Sequence, residues 1–371
     1  MNIAAIILAA GLSSRMGDFK PLLRLGGKTL LEHCRDLFQA VDLAEIVVVA
    51  GHCAEKTGNE AASLGMRWVR NGDFHTGMFS SIRCAVTALP KDIDAFFVLP
   101  VDIPLIRPVT LRTLLASFSD NDALVVYPTF AGRRGHPPVI SATLIPAIMD
   151  YEGAGGLEAL LRQHKGMDVA VWDEGIHMDA DTPEDLPPLQ QRQAHFAIPT
   201  RREAETLAEL QLSDRGLAHG RLVGHAALAI ARALDDKGIA LNMDLIYGAA
   251  LLHDVAKGQP RHEIRGAEIL SSLGLSEIAE IVASHKDLDA PANGRPAEKE
   301  IVCLADKLIS GARRVRVEER YAEKLLLFKK KSGMYQEIMR RKKRALALKA
   351  LVEKAAANSL ESILKKSFLQ N

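Results

Sequence analysis

The stretch Ile3-Ala4-Ala5-Ile6-Ile7-Leu8-Ala9-Ala10-Gly11, near the start of the chain, is an uninterrupted apolar run that ends in a glycine. Such a run, without alternating polar residues, indicates a strand that is covered on both faces. Similar runs follow at residues 45–50, 95–100 and 123–127, and segments with helical periodicity separate them. Strands that alternate with helices predict right-handed crossovers, and therefore an α/β domain with a mostly parallel sheet.

The second half of the sequence follows a different pattern. After a proline- and glutamine-rich stretch at residues 183–200, apolar residues recur with a period near 3.6, which predicts an all-α region. We expect helices at 200–210, 217–234, 243–254, 267–272, 276–284 and 298–317. The predicted organisation is an α/β domain at 1–192, a linker or first helix at 193–210, a helical domain at 211–317 and a basic helical tail at 318–371.

The composition is that of an ordinary globular protein, with 48% hydrophobic residues and a net charge of +1. Residues 1–195 carry 17 basic and 23 acidic side chains, and the remainder carries 30 and 23, which favours two domains. No basic segment precedes the first apolar run, so neither a signal peptide nor a membrane span is expected. The four cysteines form no Cys-x-x-Cys pair, which favours a reducing, cytoplasmic environment.

The segment Leu8-Ala9-Ala10-Gly11-Leu12-Ser13-Ser14-Arg15-Met16-Gly17-Asp18-Phe19-Lys20 directly follows the first predicted strand. Small residues such as Ala10 and Gly11 let the backbone approach a nucleotide and direct N–H groups at phosphate oxygens. Arg15 can hold a phosphate through two parallel hydrogen bonds, and Lys20 adds a compact positive charge. The segment is neither G-x-G-x-x-G nor a Walker A loop, yet its charges predict a triphosphate site.

Two acidic segments can hold a metal at that site. Asp102, in Leu99-Pro100-Val101-Asp102-Ile103-Pro104, follows a predicted strand, where ligands bind in open α/β sheets. Asp181, in Asp179-Ala180-Asp181-Thr182-Pro183-Glu184-Asp185, adds a second carboxylate. Mg²⁺ takes one or two protein carboxylates together with phosphates and water, so these two acids are a candidate pair. A helix cap explains Asp179 as well as a metal ligand does.

Together these segments resemble the molybdopterin-nucleotidyltransferase family over about residues 1–190. The shared motifs are L-A-A-G-x-S-x-R-M-G-x-x-K, Asn71 with Gly77-Met78-Phe79-Ser80-Ser81, L-P-V-D-I-P, Gly135-His136-Pro137 and D-x-D-T-P-E-D. The last two look more like the cytidylyltransferase branch than the guanylyltransferase branch.

The resemblance implies a Rossmann-like fold and the reaction of CTP with molybdopterin, which gives molybdopterin cytosine dinucleotide and pyrophosphate. It implies Mg²⁺ on Asp102 and Asp181, an acceptor beside His136, and catalytic roles for Arg15, Lys20 and Asp102. The implied nucleotide-binding residues are Ala10, Gly11, Ser13, Arg15, Lys20, Gly77, Ser80 and Asp102.

Histidines and aspartates recur on separate predicted helices of the second half. His253-Asp254 ends an apolar helix, and the other members are His219, His262, His285 and Asp306. Imidazole and carboxylate are good ligands for Mn, Fe or Zn, and facing helices can build a metal site in a bundle core. His219 extends the apolar stripe of its helix, whereas His225 shares a side with arginines, so we prefer His219 as the first ligand.

This half resembles the HD superfamily of metal-dependent phosphohydrolases over about residues 210–315. The matching motifs are His219-x-x-x-Val223, Leu251-Leu252-His253-Asp254-Val255-Ala256-Lys257, His262-x-x-x-Gly266-Ala267 and Ala305-Asp306. The resemblance implies one metal on His219, His253, Asp254 and Asp306, a second metal or the phosphate at His262 and His285, and hydrolysis of a phosphoester by water activated at the metal. Lys257 is then placed to meet the phosphate. A lone His285 followed by Lys286 stands where some relatives have paired histidines.

These observations favour a bifunctional enzyme that joins cytidylyl transfer to phosphohydrolysis. One alternative acceptor is a sugar or alcohol phosphate. Another hypothesis is a maturation factor that holds the cofactor for a molybdenum hydroxylase client, with the HD domain as a sensing module. The basic tail has Tyr335 as its one aromatic between the lysine and arginine clusters, which argues against single-stranded nucleic acid as a partner.

Overall fold

The computed structural model of the protein describes residues 1–329 and 332–368. Two compact units divide the chain, at Met1–Phe196 and Ala197–Asn371. Lys330, Lys331 and residues 369–371 of the predicted basic tail lie outside the described residues.

The first unit is an α/β domain, as predicted. Its strands are β1 (Ile3–Ala9), β2 (Arg24–Leu25), β3 (Lys28–Thr29), β4 (Glu45–Ala50), β5 (Arg67–Arg70), β6 (Ala95–Pro100), β7 (Val125–Phe130), β8 (Arg133–Arg134), β9 (Val139–Ser141) and β10 (Gly166–Ala170). Its helices are α1 (Leu30–Gln39), α2 (Ala54–Ser63), α3 (Met78–Val86), α4 (Pro108–Ser119), α5 (Ile145–Asp150), α6 (Gly156–Leu161) and α7 (Leu186–Ala194).

Eight strands form the main sheet, in the order β10-β7-β9-β6-β1-β4-β5 with β8 paired to β7. The pairs that involve β1, β4, β5 and β10 are parallel, and β9 and β8 are antiparallel to their neighbours. This confirms the prediction of a mostly parallel sheet. Helices separate the parallel strands along the chain, which covers both faces of the sheet.

The central strand β1 is buried along its whole length. Ile3, Ala5 and Ile7 point into one core cluster, whereas Ala4, Ile6 and Leu8 point into the other. Successive side chains of a strand point to opposite faces, so an uninterrupted apolar run is what a strand between two cores requires. Burial of this run holds β1 in the centre of the sheet, so the glycine-rich segment begins at the carboxyl end of a central strand.

The second unit is helical apart from one short hairpin in its described residues. Its elements are α8 (Arg201–Gln211), α9 (Asp214–Asp235), α10 (Met243–Leu252), α11 (His262–Ser272), α12 (Ser276–Ser284), α13 (Glu298–Lys307), β11 (Ile309–Ser310), β12 (Arg313–Arg314), α14 (Val317–Leu327), α15 (Ser332–Ala356) and α16 (Leu360–Phe368). The long helix α9 packs against α10, α13 and α16.

The prediction of one helix at residues 298–317 was wrong. The helix ends at Lys307, and β11 and β12 pair as an antiparallel hairpin around Gly311, which adopts a φ of +60°. Glycine takes this left-handed conformation at little cost, so it favours a turn here over continued helix. The predicted basic helical tail contains the helices α14, α15 and α16, and α15 packs against α13 while α16 packs against α9.

No helix among the described residues is long and apolar enough to cross a membrane.

Candidate active sites

A cleft of about 710 Å³ opens in the first unit at the ends of β1 and β6. The two strands pair in parallel with Leu8 opposite Pro100, and the Val101 amide donates to the Leu8 carbonyl at 3.0 Å. The segments that follow both strands therefore leave the same edge of the sheet, where ligands bind in such folds. Of the predicted site residues, the cleft is lined by Ala10, Gly11, Ser13, Arg15, Lys20, Gly77, Asp102, His136 and Asp181.

Lys20 lies between the two predicted metal carboxylates. Its Nζ donates to Asp102 Oδ2 at 2.9 Å and to Asp181 Oδ1 at 2.6 Å, while Arg15 Nη2 lies 2.9 Å from Asp181 Oδ2. Burial opposes the charge on Lys20, but the hydrogen bonds to the two acids outweigh it and raise the Lys20 pKa. The hydrogen bond from Lys20 also lowers the pKa of Asp181, which is therefore ionised at neutral pH.

Backbone contacts bring the D-x-D-T-P-E-D segment to Asp102. The Ala180 amide donates to the Asp102 carbonyl at 2.8 Å, and Asp185 Oδ2 accepts from the amides of Asp181 and Thr182 at 3.0 and 2.7 Å. Asp185 thereby fixes the turn that presents Asp181. Burial, reinforced by the charge of Asp181, raises the pKa of Asp179.

The paired carboxylates fit a Mg²⁺ ion, which prefers oxygen ligands and takes one or two carboxylates beside phosphate oxygens. Lys20 supplies the counter-charge to both acids in this structure. A divalent ion at Asp102 and Asp181 would therefore compete with the Lys20 ammonium, and the ammonium would be released toward a bound anion.

Asn71 organises the loop that carries Gly77. Its Nδ2 donates to Ser80 Oγ at 2.8 Å and to Ser81 Oγ at 2.9 Å. The Ser80 hydroxyl donates to the carbonyls of Asp73 and Gly77, so its role in this structure is to shape the loop. Within the described residues, Ser81 rather than Ser80 lines the cleft. Gly77 has a φ of +114°, which favours glycine there.

His136 lines the same cleft as the glycine-rich segment. Burial lowers the pKa of its imidazole, so the ring is neutral at physiological pH. Its Nδ1 is buried and makes no hydrogen bond within the described part of the chain. A neutral ring with a free nitrogen can donate to or accept from a bound substrate.

In the second unit, the structure brings together all six residues predicted for the HD site. Four elements contribute histidines, at His219 on α9, at His253 after α10, at His262 on α11 and at His285 after α12. His219 Nε2 and His253 Nε2 each lie 3.6 Å from Asp306 Oδ1, on α13. Asp254 is reached by His253 Nε2 at 3.4 Å and by His262 Nε2 at 3.5 Å.

Backbone carbonyls orient three of these rings. The Nδ1 atoms of His219, His253 and His285 lie 2.9, 2.7 and 2.6 Å from the carbonyls of Gly311, Ala250 and Val282. Such contacts fix the tautomer with Nδ1 protonated and leave Nε2 available as a ligand. His253 Nε2 is buried and makes no hydrogen bond among the described residues, so the neutral ring can offer this atom to a metal.

The pKa values of His253 and His285 are shifted in opposite directions. Burial opposes charge on His253, but the neighbouring carboxylates of Asp254 and Asp306 raise its pKa to about 9. Burial, together with the positive charge of His253, lowers the pKa of His285 to about 4. Asp306 is fully buried, yet Lys307 and the neighbouring histidines hold its pKa well below the usual range.

The donor set fits divalent transition metals. Ligand atoms of His219, His253 and Asp254 lie within 4.8 Å of one another, and the same holds for Asp254, His262 and His285. Asp254 belongs to both groups. His285 therefore belongs to the second group of possible ligands. Lys286, which follows it, pairs instead with Glu263, whose Oε1 lies 3.5 Å from the Lys286 ammonium.

Three supporting residues were missed by sequence reasoning. Lys307 Nζ donates to Asp306 Oδ2 at 2.9 Å, and Arg320 Nη2 donates to Asp306 Oδ1 at 3.3 Å. Gly220 follows His219, and a Cβ atom there would lie 2.4 Å from the Leu251 carbonyl, so glycine permits the close approach of α9 and α10. The contacts of Arg320 and Gly220 join residues that are distant in the sequence, so spacing does not indicate them.

A cleft of about 730 Å³ leads to this cluster. His219 and Asp254 are among its lining residues, and its basic side chains are Arg215, Lys257, Arg320 and Lys324. His225 is half-buried and its ring lies 6.3 Å from that of Tyr247, away from the histidine cluster. The six ligand assignments remain predictions, and the geometry places His219 rather than His225 among the candidate ligands.

Residues 5–168 match the family model of the MobA-like NTP transferase domain, and residues 216–311 match that of the HD domain. The chain therefore contains a nucleotidyltransferase domain of the MobA-like kind and an HD domain, as predicted.

The chain is similar to several known proteins over its first half. The Bifunctional protein GlmU of Polaromonas naphthalenivorans is 29% identical over 173 residues, which cover 43% of this chain and 36% of that protein. The chain spans about a third of the length of the curated relatives it matches. The solved structure of Rv0371c from Mycobacterium tuberculosis H37Rv is 24% identical and covers 52% of this chain and 99% of that chain, with a TM-score of 0.46. The structure of molybdopterin-guanine dinucleotide biosynthesis protein A from Archaeoglobus fulgidus is 17% identical and covers 52% and 98%, with a TM-score of 0.41.

Proposed function

We propose that the first unit transfers CMP from CTP to molybdopterin, giving a molybdopterin dinucleotide and pyrophosphate. The observation that carries the proposal is the cluster of Lys20, Asp102 and Asp181 in a cleft at the ends of β1 and β6. When a nucleotide and its metal bind beside the glycine-rich loop, the metal can replace Lys20 as the partner of the two acids. Lys20 can then pair with a phosphate of the nucleotide.

In the proposed reaction, an oxygen of the acceptor's phosphate forms a bond to the α-phosphorus of CTP, and the bond to pyrophosphate breaks. Both groups are anions, so Arg15 and Lys20 offset their repulsion and hold them in line. A phosphate monoester is already ionised at neutral pH, so the acceptor needs no general base. Mg²⁺, when bound by Asp102 and Asp181, would supply further charge neutralisation to the leaving pyrophosphate.

The choice of base and acceptor rests on the motifs. Gly135-His136-Pro137 and D-x-D-T-P-E-D resemble the cytidylyltransferase branch, and His136 offers a neutral imidazole to the acceptor side of the cleft. A sugar or alcohol phosphate is the alternative acceptor, because the same loop and aspartates would serve it.

The test is pyrophosphate release by the full chain with Mg²⁺, comparing CTP, GTP, ATP and UTP with molybdopterin and with sugar phosphates. We expect release with CTP and molybdopterin. Pyrophosphate release with sugar phosphates but not with molybdopterin would show that the acceptor is a sugar phosphate. Absence of release with every pair, together with pull-down of a molybdenum hydroxylase, would favour the carrier hypothesis.

For the second unit we propose metal-dependent phosphohydrolysis. The observation that favours it is the convergence of His219, His253, Asp254 and Asp306, with the Nε2 atoms turned toward the carboxylates. A bound Mn, Fe or Zn ion would supply an activated water and polarise a phosphoryl oxygen. The chain's own contribution is to position the phosphoester, with Lys257 and Arg320 at the cleft.

Loading the chain with Mn²⁺, Fe²⁺ or Zn²⁺ and measuring phosphate release from a panel of phosphate esters tests this second proposal. We expect release that disappears in Asp254→Asn. Tight metal binding without release from any ester would instead favour a sensing module.

A further inference from the structure

The cleft of the second unit is lined by four basic side chains and by two acids, Asp254 and Glu323. Arg320 is engaged by Asp306, and Lys257 pairs with Asp254. Arg215 and Lys324 also line the cleft, and neither forms an ion pair within residues 1–329 and 332–368. The acid Glu323 at the cleft is paired to Arg313 at 2.8 Å, so it does not neutralise them.

These two cations lie on the helices that also carry His219 and Arg320. Arg215 precedes His219 by four residues on α9, and Lys324 follows Arg320 by four residues on α14. Residues four apart on a helix are neighbours on one face, with Cβ atoms about 6 Å apart. Arg215 is therefore one helical turn from the candidate ligand His219, and Lys324 is one turn from Arg320, the partner of Asp306; both line the cleft.

We propose that this cleft binds compounds with two adjacent phosphates, with the terminal phosphate at the His–Asp cluster and the next one between Arg215 and Lys324. The inference rests on the proposed phosphohydrolase function and names its substrate class. A phosphomonoester bound at the His–Asp cluster would have no second anionic group to contact Arg215 and Lys324. A diphosphate has one, because its second phosphate is bonded next to the first.

In the corresponding hydrolysis, the oxygen of water forms a bond to the terminal phosphorus and the bridging P–O bond breaks. The second phosphate leaves on the bridging oxygen, and the protons of water pass to the two products and the solvent. Inorganic pyrophosphate, which the first unit is proposed to release, belongs to this class, as do nucleoside di- and triphosphates.

Binding can be measured apart from turnover by titrating the Mn²⁺-loaded full chain with methylenediphosphonate and with methylphosphonate in a calorimeter. We expect Arg215→Ala and Lys324→Ala each to weaken methylenediphosphonate binding by about tenfold, the effect of one charge-assisted hydrogen bond, and to change methylphosphonate binding by less than about twofold. Arg232→Ala is the matched control, because Arg232 is exposed on the far part of the same helix. Metal content is measured before and after each titration.

Equal weakening of both ligands in Arg215→Ala, or unchanged methylenediphosphonate binding in both variants, would overturn the inference. Selective loss of diphosphonate binding in a chain that hydrolyses no phosphate compound would support the binding inference while the proposed phosphohydrolase fails. If the chain hydrolyses monoesters and neither variant affects the two phosphonates differently, the proposed phosphohydrolase function is supported and the proposed substrate class is overturned. Relative rates with pyrophosphate and with CDP then separate the two sources of the diphosphate.

Discussion

The two candidate sites of this chain neutralise their carboxylates in different ways. In the first unit, Asp102 and Asp181 are held by cations from the glycine-rich segment, and the side chain of Arg15 is 70% exposed. In the second unit, Asp254 and Asp306 face histidines on packed helices, and the side chain of His253 is 1% exposed.

The difference has a physical consequence. A site on loops, with its charge balanced by a lysine, is built to reorganise when a polyanion and its metal arrive together. A site on helices, with rings fixed by backbone carbonyls, is arranged for a metal before any substrate binds. We therefore expect the second unit to retain its metal through purification, and the first to bind Mg²⁺ together with the nucleotide.

The first prediction concerns Asp181, the acid that both cations of the first site share. Asp181→Ala removes a partner of Arg15 and Lys20 and a candidate Mg²⁺ ligand, so we expect kcat/KM for pyrophosphate release to fall by about 10³-fold. Asp122→Ala is the control, because Asp122 is an exposed acid paired with Lys165. A loss of less than tenfold would remove Asp181 from the site.

The second prediction concerns the choice of histidine on α9. His219→Ala should lower the metal affinity of the second unit by about 100-fold, since it removes a ligand oriented by the Gly311 carbonyl. His225→Ala should leave metal content within about twofold, because His225 faces Tyr247. Metal analysis of the two purified variants decides, and the reverse order would show that the first ligand is wrongly chosen.

The third prediction is a pH dependence of metal binding in the second unit. The pKa of His253 is raised to about 9, so below that pH a metal must displace a proton. The affinity for Mn²⁺ should therefore fall by up to about tenfold per unit as the pH drops from 9 toward 7. Calorimetry in buffers of different ionisation enthalpy would detect the released proton, and pH-independent binding without proton release would contradict the prediction.

The smallest expected change in metal affinity comes from replacing Lys20, the cation between the two acids of the first site. Lys20→Met should strengthen Mn²⁺ binding without nucleotide by about three- to tenfold, because the ion no longer competes with the ammonium for Asp102 and Asp181. The same variant should lose nucleotidyl transfer, since Lys20 is also proposed to bind the phosphates. Lys28→Met is the control, as Lys28 pairs with Asp36 on the surface. Weaker Mn²⁺ binding in Lys20→Met would show that Lys20 positions the acids rather than competing for them.

Much of the fold was predictable because the apolar runs reflect burial on both faces. The predicted strands at 45–50 and 95–100 coincide with β4 and β6. The antiparallel strand β9 was not predicted, because three residues after a pair of prolines carry too little periodicity. The helix predicted through residue 317 failed at Gly311, where the turn depends on pairing across the hairpin.

The residues that the structure brings together in the two candidate sites could be selected where a chemical type recurs in a motif, as in the glycine-rich segment and the histidines. The contacts between them were not predictable. Lys20 meets Asp181 because the Ala180 amide pairs with the Asp102 carbonyl, and Arg320 reaches Asp306 from a helix assigned to the tail. Such contacts join residues far apart in the chain, so one sequence does not specify them.

The central claim is that one chain carries two chemically separate sites, and the most direct test measures both activities in the same preparation of Asp102→Ala. Pyrophosphate release from CTP with molybdopterin and phosphate release by the metal-loaded second unit are compared with the wild-type chain. The account predicts that nucleotidyl transfer is abolished and that phosphohydrolysis stays within about twofold, because Asp102 belongs to the first unit alone. Loss of both activities in a folded Asp102→Ala chain would contradict it.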